Sequence, residues 1–366
     1  MKNVTMISRR SFLKAAMAAS AVSALAFTGC GGSASSTVAA STPASPAAAS
    51  AAAEGGQTFK VGIVNYVDHA SLNQIVESVE SRLDELGAEK GVTFDYADYY
   101  ANAQADQSNL NQIGADLVGD GVDVIVAVAT PPPAATMLAA VEDTDIPVVY
   151  SAVTDPAAAG FDGEENITGT SDALNTEAIM NLITAVNPDI DTIGLLYDLS
   201  QDASTQAIAD AKAFCDANGI KYIEKNGTTT AEVQMAAEAL IAAGVKAVFT
   251  PTDNTVMTAE LSIYETFTEA GVQHYTGADS FALNGAFVGD GVDYVQLGEA
   301  TADIVAEILC DGKTTADLPY QTFDNGIVTI NTETCEALGL DLDTVKEAFK
   351  PYCTEIVEVT TAENFS

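Results

Sequence analysis

Tryptophan is absent from this 366-residue chain, histidine occurs twice, and only 14 lysines and arginines stand against 52 aspartates and glutamates. The shortage of basic residues, with a formal net charge of −38, excludes a nucleic-acid partner. Binding to a polyphosphate draws its affinity from Lys and Arg that displace counterions, and here that contribution is repulsive. An anionic lipid surface is disfavoured for the same reason. His69 and His274 stand far apart, with no metal-type spacing to cysteine or carboxylate. No Gly-x-Gly-x-x-Gly follows the first strand-like run, no Gly-x-Ser-x-Gly elbow occurs, and Gly312-Lys313-Thr314 has Glu307 where a phosphate loop needs glycine. No catalytic residue, cofactor or metal is therefore expected. The apolar run at 15–27 is too short to span about 30 Å of hydrocarbon as a mature helix. What the chain does have is 48% hydrophobic residues, ample for a globular core, so its acidity does not signal disorder.

The four basic residues before position 30 (Lys2, Arg9, Arg10, Lys14) lie in a stretch without a single acid, so the remainder carries −42, the chain's −38 less four positive charges. Ser8-Arg9-Arg10-Ser11-Phe12-Leu13-Lys14 and the apolar run after it have the layout of an export signal: basic, apolar, then small residues. The twin arginine with its Phe-Leu-Lys continuation resembles a twin-arginine (Tat) signal, and Phe27-Thr28-Gly29-Cys30 resembles a bacterial lipobox. These resemblances imply a signal peptide over 1–29 and lipidation of Cys30, which anchors the protein at the outer face of the cytoplasmic membrane. Residues 31–57 are nearly all Gly, Ser, Ala, Thr and Pro, a composition that buries too little apolar surface to offset ordering. The stretch 30–58 is thus expected to be the lipidated Cys and a flexible tether.

From Phe59 onward, short β-rich runs alternate with helical ones. Residues 59–66 read as a buried strand, and 70–86 set Leu72, Ile75, Val76, Val79, Leu83 and Leu86 at helical spacing before Gly87. Further strands are expected at 92–99, 122–129 and 147–153, with helices at 107–118 and 131–141. Continuous apolar strands between amphipathic helices predict parallel sheets covered on both faces. After about residue 170 the order begins again. Val61-Gly62-Ile63-Val64 is echoed by Ile193-Gly194-Leu195-Leu196, and Ala129-Thr130-Pro131 by Phe249-Thr250-Pro251. Two units of this length can each close a core. The chain therefore reads as α/β, with two doubly wound parallel-sheet lobes. A helix at 294–309 and a strand at 326–330 let it cross between lobes more than once.

Ligands of open parallel sheets bind beyond the carboxyl ends of the strands, where helix N-termini point into a crevice. That rule selects 66–71, 130–134 and 153–156 in the first lobe, and 197–204, 250–255 and 277–281 in the second. These loops hold hydroxyls (Ser71, Thr130, Thr252, Ser280), carboxylates (Asp155, Asp253, Asp279), the amide Asn254, His69, and aromatics such as Tyr66 and Tyr197. Hydroxyls and N–H groups suit a carboxylate, Asp suits an ammonium, and rings suit a flat apolar side chain; the combination suits a free amino acid. Helix capping accounts equally for Asp253, Asn254 and Ser280, and a turn for Asp155-Pro156. Cys335 and Cys353 could pair outside the cytoplasm, and free thiols for these and for Cys215 and Cys310 fit equally well.

Ala129-Thr130-Pro131, Ala152-Val153-Thr154-Asp155-Pro156, Thr168-Gly169-Thr170-Ser171-Asp172, Pro251-Thr252-Asp253-Asn254-Thr255 and Gly277-Ala278-Asp279-Ser280 occur in this order of lobes. Together they closely resemble the ABC-transporter substrate-binding proteins of the tryptophan/tyrosine branch, over about 59–345. The resemblance implies a type I periplasmic-binding-protein fold with a three-crossover hinge. The first lobe would be 59–170 plus about 292–318, and the second 171–291 plus about 319–366. An aromatic amino acid would be held between them. Cleft positions carried over by motif are Thr130, Asp155, Ser171, Tyr197, Asp253, Asn254, Asp279 and Ser280. Thr130 and the helix N-terminus after it would hold the ligand carboxylate, and Asp253 or Asp279 its ammonium, while Tyr66, His69 or Tyr197 packs on the side chain. The chain departs from the branch at Asp68-His69-Ala70-Ser71, where Glu or Asp then His-Pro is usual, and at the stiff Pro131-Pro132-Pro133. The implied partners are the small-molecule ligand, an ABC permease and, through the lipid, the membrane, with the protein itself a monomer. A same-fold receptor for a sugar, nucleoside or other small solute, a sensor ectodomain and, with less support, an exported enzyme are the alternatives.

Overall fold

Uninterrupted β-branched runs and apolar residues at helical spacing settle the chain into alternating strands and helices. The computed structural model describes residues 56–129, 131–323 and 326–365, and 56–366 form one compact unit. Thr130, Cys30, the expected signal and nearly all of the expected tether lie outside the described residues. The order in the first part is β1 (Thr58–Asn65), α1 (Ala70–Lys90), β2 (Thr93–Asp95), β3 (Tyr100–Asn102), α2 (Gln107–Asp120), β4 (Val124–Val128), α3 (Pro131–Ala140), β5 (Val148–Ser151) and β6 (Ile167–Ser171). β4 reads Val-Ile-Val-Ala-Val with every residue buried, as a strand covered on both faces must. α1 buries Leu72, Ile75, Val76, Val79, Leu83 and Leu86, each worth about 1.5–3 kcal/mol against exposure. It stops at Gly91, whose φ of +68° is the left-handed turn that only glycine adopts without a Cβ penalty. The single strand expected at 92–99 is two short strands. A turn closed by Tyr99 N–H to Tyr96 O (2.9 Å) sets β2 against the start of β1 and β3 against its end.

The second part runs α4 (Thr176–Val186), β7 (Thr192–Tyr197), α5 (Asp202–Asn218), β8 (Lys221–Asn226), α6 (Thr230–Ala242), β9 (Ala247–Thr250), α7 (Asn254–Glu269), β10 (Gln273–Thr276), α8 (Asp279–Leu283) and β11 (Val288–Gly291). Then follow α9 (Tyr294–Asp311), β12 (Gln321–Thr322), β13 (Ile327–Asn331), α10 (Thr332–Ala337), α11 (Leu342–Phe349) and β14 (Glu355–Val359). One sheet has the order β12-β6-β5-β4-β1-β2, with β3 also on β1; the other has β14-β13-β11-β10-β9-β7-β8. Every pairing is parallel except β11 with β13.

The chain passes between the sheets three times: after β6, between β11 and α9, and between β12 and β13. Gln321–Thr322 still pairs with β6, so the last return comes after residue 322 rather than near 319. α9 returns to the first lobe and lies on α1. A Cβ at Gly298 would sit 2.7 Å from the Ser78 Cβ and 2.8 Å from Ile75 O, so only glycine allows that approach. Thr301 on α9 bonds Ser151 Oγ and Thr170 Oγ1, each at 2.9 Å, tying the helix to β5 and β6. Leu72 and Ala129 of the first lobe belong to the same buried apolar cluster as Met257 and Phe281 of the second.

Candidate functional site

The strand ends of the two lobes meet in a cleft bridged by side-chain hydrogen bonds. His69 caps α1: its Nδ1 accepts from Leu72 N–H (3.5 Å), while Nε2 reaches Asn254 Oδ1 at 2.9 Å in the other lobe. A ring that accepts at one nitrogen and donates at the other is neutral. Burial pushes its pKa down to about 4, against the raising influence of Asn254 and Asp68. Asn254 opens α7 and donates from Nδ2 to Gln201 Oε1 at 3.1 Å. Ser71 Oγ and Ser280 Oγ make a second bond across the cleft.

Beneath these bonds lies a cavity of about 20 Å³, lined among others by Leu72, Asp172, Thr252, Met257, Phe281 and Tyr294. In this closed arrangement it has room for about one water molecule, so an amino acid enters only when the lobes part. Asp172 follows β6 at the first crossing and is buried; it accepts from Thr154 Oγ1 (2.8 Å) and from the Tyr294 hydroxyl (3.2 Å). Burial pushes its pKa up to about 6, although both hydrogen bonds favour the charge. Thr252 Oγ1 is buried without a hydrogen-bond partner. Ala129 and Ala152 also line the cavity, at φ of +103° and +64°. Such left-handed conformations cost a non-glycine residue about 1–3 kcal/mol and cluster at ligand sites.

The expected aspartates separate. Asp253 caps α7, accepting Thr255 and Val256 N–H at Oδ1 (3.0 Å each), and Asp198 N–H (2.8 Å) and Ser204 Oγ (2.7 Å) at Oδ2. Four donors saturate it, so its work is structural although it borders the cavity; burial pushes its pKa up to about 6. Asp279, the first residue of α8, has Oδ1 buried with no partner, and burial, aided by Asp293, pushes it up to about 7. α8 is seated closely: a Cβ at Gly289 would lie 2.0 Å from Ala278 O. Asp155 is exposed and accepts from Ala158 N–H (2.9 Å), the turn role, away from the cleft. Ser171 is buried, donating to Thr154 O (3.1 Å) and accepting from Ala173 N–H (3.2 Å) within the crossing segment. Tyr197 is buried in the second lobe's own core and donates to Glu224 Oε2 at 2.6 Å. Tyr66 is half-buried, its pKa raised by burial and then by Asp198 and Asp202 of the other lobe.

Thr130 is outside the described residues, and the helix after it opens with three prolines. Proline has no N–H, so the first turn of α3 lacks the backbone donors an anion needs. Asp172, Tyr294 and Met257 escaped the loop rule, and Phe281 lies inside the selected 277–281 without having been singled out. The available signal for Asp172 was its place at the end of Thr168-Gly169-Thr170-Ser171-Asp172; Tyr294 opens a helix straight after a crossing. Among the described residues no group of three or more His, Cys, Asp or Glu could hold a metal, and no helix is long and apolar enough to cross a membrane. Cys215, Cys310, Cys335 and Cys353 are free thiols.

Residues 60–351 match the family model described as ABC transporter substrate binding protein. A curated relative, a tyrosine-binding protein of Clostridioides difficile, is 28% identical over 287 residues, 76% of this chain and 81% of that protein. A solved domain from Streptococcus pneumoniae in complex with L-Trp is 27% identical with a TM-score of 0.72, covering 82% of this chain and all of the other. The ligand-free, open structure of a substrate-binding protein with adhesive properties from Clostridium difficile is 28% identical with a TM-score of 0.61, over 83% of this chain and all of the other. At nearly equal identity the described conformation, with its lobes bonded across the cleft, is nearer to the L-Trp complex.

Proposed function

The chain belongs to the ABC transporter substrate-binding proteins, and from that premise we propose that it captures a free aromatic amino acid between its lobes and presents it to an ABC permease. Its fold is that of the type I periplasmic binding proteins. The observation that carries the ligand reading is the interlobe cavity with a buried carboxylate at one wall and apolar Leu72, Met257 and Phe281 at others. In this reading Asp172, with Asp279 nearby, meets the ammonium. The ligand carboxylate lies by the first turn of α1 at Ser71, with Thr130 and Thr252 Oγ1 as further donors. Phe281, Met257 and His69 hold the side chain. The L-Trp complex and the tyrosine-binding relative support this choice of solute. The permease then senses the closed form, whose population ligand binding raises by differential affinity.

The same proposal makes the protein a binder and not an enzyme, working as a monomer. Residues 1–29 direct its export by the twin-arginine route, Cys30 carries the lipid, and 30–58 form the tether. Calorimetry against the twenty L-amino acids tests the ligand: L-tryptophan, L-tyrosine or L-phenylalanine should bind, and binding of a sugar or nucleoside alone would sink the reading. Cys30→Ser should release the protein from the membrane fraction, and retention there would remove the anchor.

A further inference from the structure

Glu260 lies on α7, fully buried. A carboxylate so placed needs a partner, because burial strips its hydration. Oε1 is 3.0 Å from Nδ1 of His274 on β10, whose ring is also buried. Oε2 has no hydrogen-bond partner, so among the described residues His274 alone holds the carboxylate. The other ring nitrogen, Nε2, is 2.8 Å from Thr250 Oγ1 on β9. That hydroxyl gives its one proton to Leu196 O on β7 (2.9 Å), so Nε2 is the donor to it. One chain of hydrogen bonds thus ties α7 to three successive strands of the second sheet.

The same ring stands 5.0 Å from the Phe267 ring and meets the Phe281 ring edge-on at 6.5 Å, centroid to centroid. Phe281 is a wall of the cavity, and so is Met257, one turn before Glu260 on the same face of α7. An apolar contact tolerates rotation of a helix about its axis, whereas a buried hydrogen bond has one geometry. A buried polar pair therefore adds little net stability over an apolar one and can select a single register. We propose that His274 and Glu260 are a positioning pair that fixes the rotation of α7 and the seat of Phe281 against the interlobe cavity, an inference that rests on the ligand reading above.

The test replaces both with apolar residues, Glu260→Leu with His274→Leu. The expected result is a thermal midpoint no lower than the parent's, affinity for L-tryptophan or L-tyrosine weaker by about tenfold, and a displaced Met257 methyl signal in the carbon NMR spectrum. Glu260→Gln keeps a partner for Nδ1 and should hold the affinity within about twofold. Parent affinity together with the parent Met257 signal in the doubly apolar variant would overturn the proposal. Should that variant not fold, the isosteric Thr250→Val removes the partner of Nε2, together with the bond to Leu196 O, and is read by the same two measurements, with a displaced Met257 signal expected and an unmoved one fatal. If the parent binds neither amino acid, the ligand reading fails on its own. The Met257 signal then decides the positioning role without a ligand.

Discussion

Tyr66 follows the first strand of one lobe and Tyr197 ends that of the other, and the molecule uses them in different ways. Tyr66 is half-buried, with Asp198 and Asp202 of the opposite lobe raising its pKa. Tyr197 turns into its own lobe and bonds Glu224, which also pairs with Lys212 at 2.6 Å. The turns that follow diverge as well. After Tyr66 the chain brings His69 and Ser71 across the cleft, while after Tyr197 it leaves Leu199 69% exposed and starts α5 without a side-chain cap. The left-handed alanines at the ends of β4 and β5 have no counterpart in the second lobe, where non-glycine residues at positive φ are absent among the described residues. Repetition of strands and helices reproduces a scaffold; which loops face the partner lobe depends on how the two copies are docked.

The largest effects are expected at the carboxylates. Asp172→Asn should weaken aromatic amino-acid binding about 100-fold in calorimetry, the scale of a buried charge-assisted bond, while Asp155→Asn leaves it within about twofold. Equal effects would deny Asp172 its place in the cavity. Asp253→Ala strips four donors of their acceptor and should lower the unfolding free energy by about 2–3 kcal/mol in denaturant titration.

The pH dependence of the ligand-free protein comes next. Asp172 and Asp253 at about 6 and Asp279 at about 7 are all raised from 3.8 by burial, so their contribution to stability is full below 3.8 and lost as pH rises through 6 to 7. His69, lowered from 6.5 to about 4, has the opposite sign: its contribution is present above 6.5 and lost as pH falls toward 4. The thermal midpoint should therefore fall between pH 6.5 and 7.5, where only the aspartates act, and Asp279→Asn should flatten that slope. The smallest effects separate the two tyrosine turns. His69→Ala should weaken ligand binding by about fivefold through loss of the cross-cleft bond. Tyr197→Phe should leave affinity unchanged and lower stability by about 1 kcal/mol.

Much of the scaffold was legible because it is written locally. The run Val-Ile-Val-Ala-Val makes β4, six apolar residues at helical spacing make α1, and both stand where their patterns put them. The break of 92–99 into β2 and β3 was not, since it follows from the pairing with β1. At the site, His69, Asn254 and Ser280 come together across the cleft as the strand-end rule anticipated. Asp253 and Asp155 proved to be a cap and a turn, and Tyr197 a core residue with a satisfied hydroxyl. Chemical type and position in a loop do not reveal which donors a side chain will meet. Asp172 and Tyr294 lie at crossings, where the chain changes lobes and residues 122 positions apart share one bond.

By itself, the sequence determined the acidic charge that bars polyanions, the alternation that builds two parallel-sheet lobes, and the pool of hydroxyls, carboxylates and rings at the strand ends. Those properties depend on residue type and near neighbours, so one dimension holds them. Only the tertiary structure decided which aspartate keeps an unpartnered oxygen and which is saturated, and that His69 is held neutral. It also put the scarce second histidine under the cavity wall with Glu260. Burial and partnership set a side chain's charge and freedom, and both come from residues that meet only when the lobes have folded.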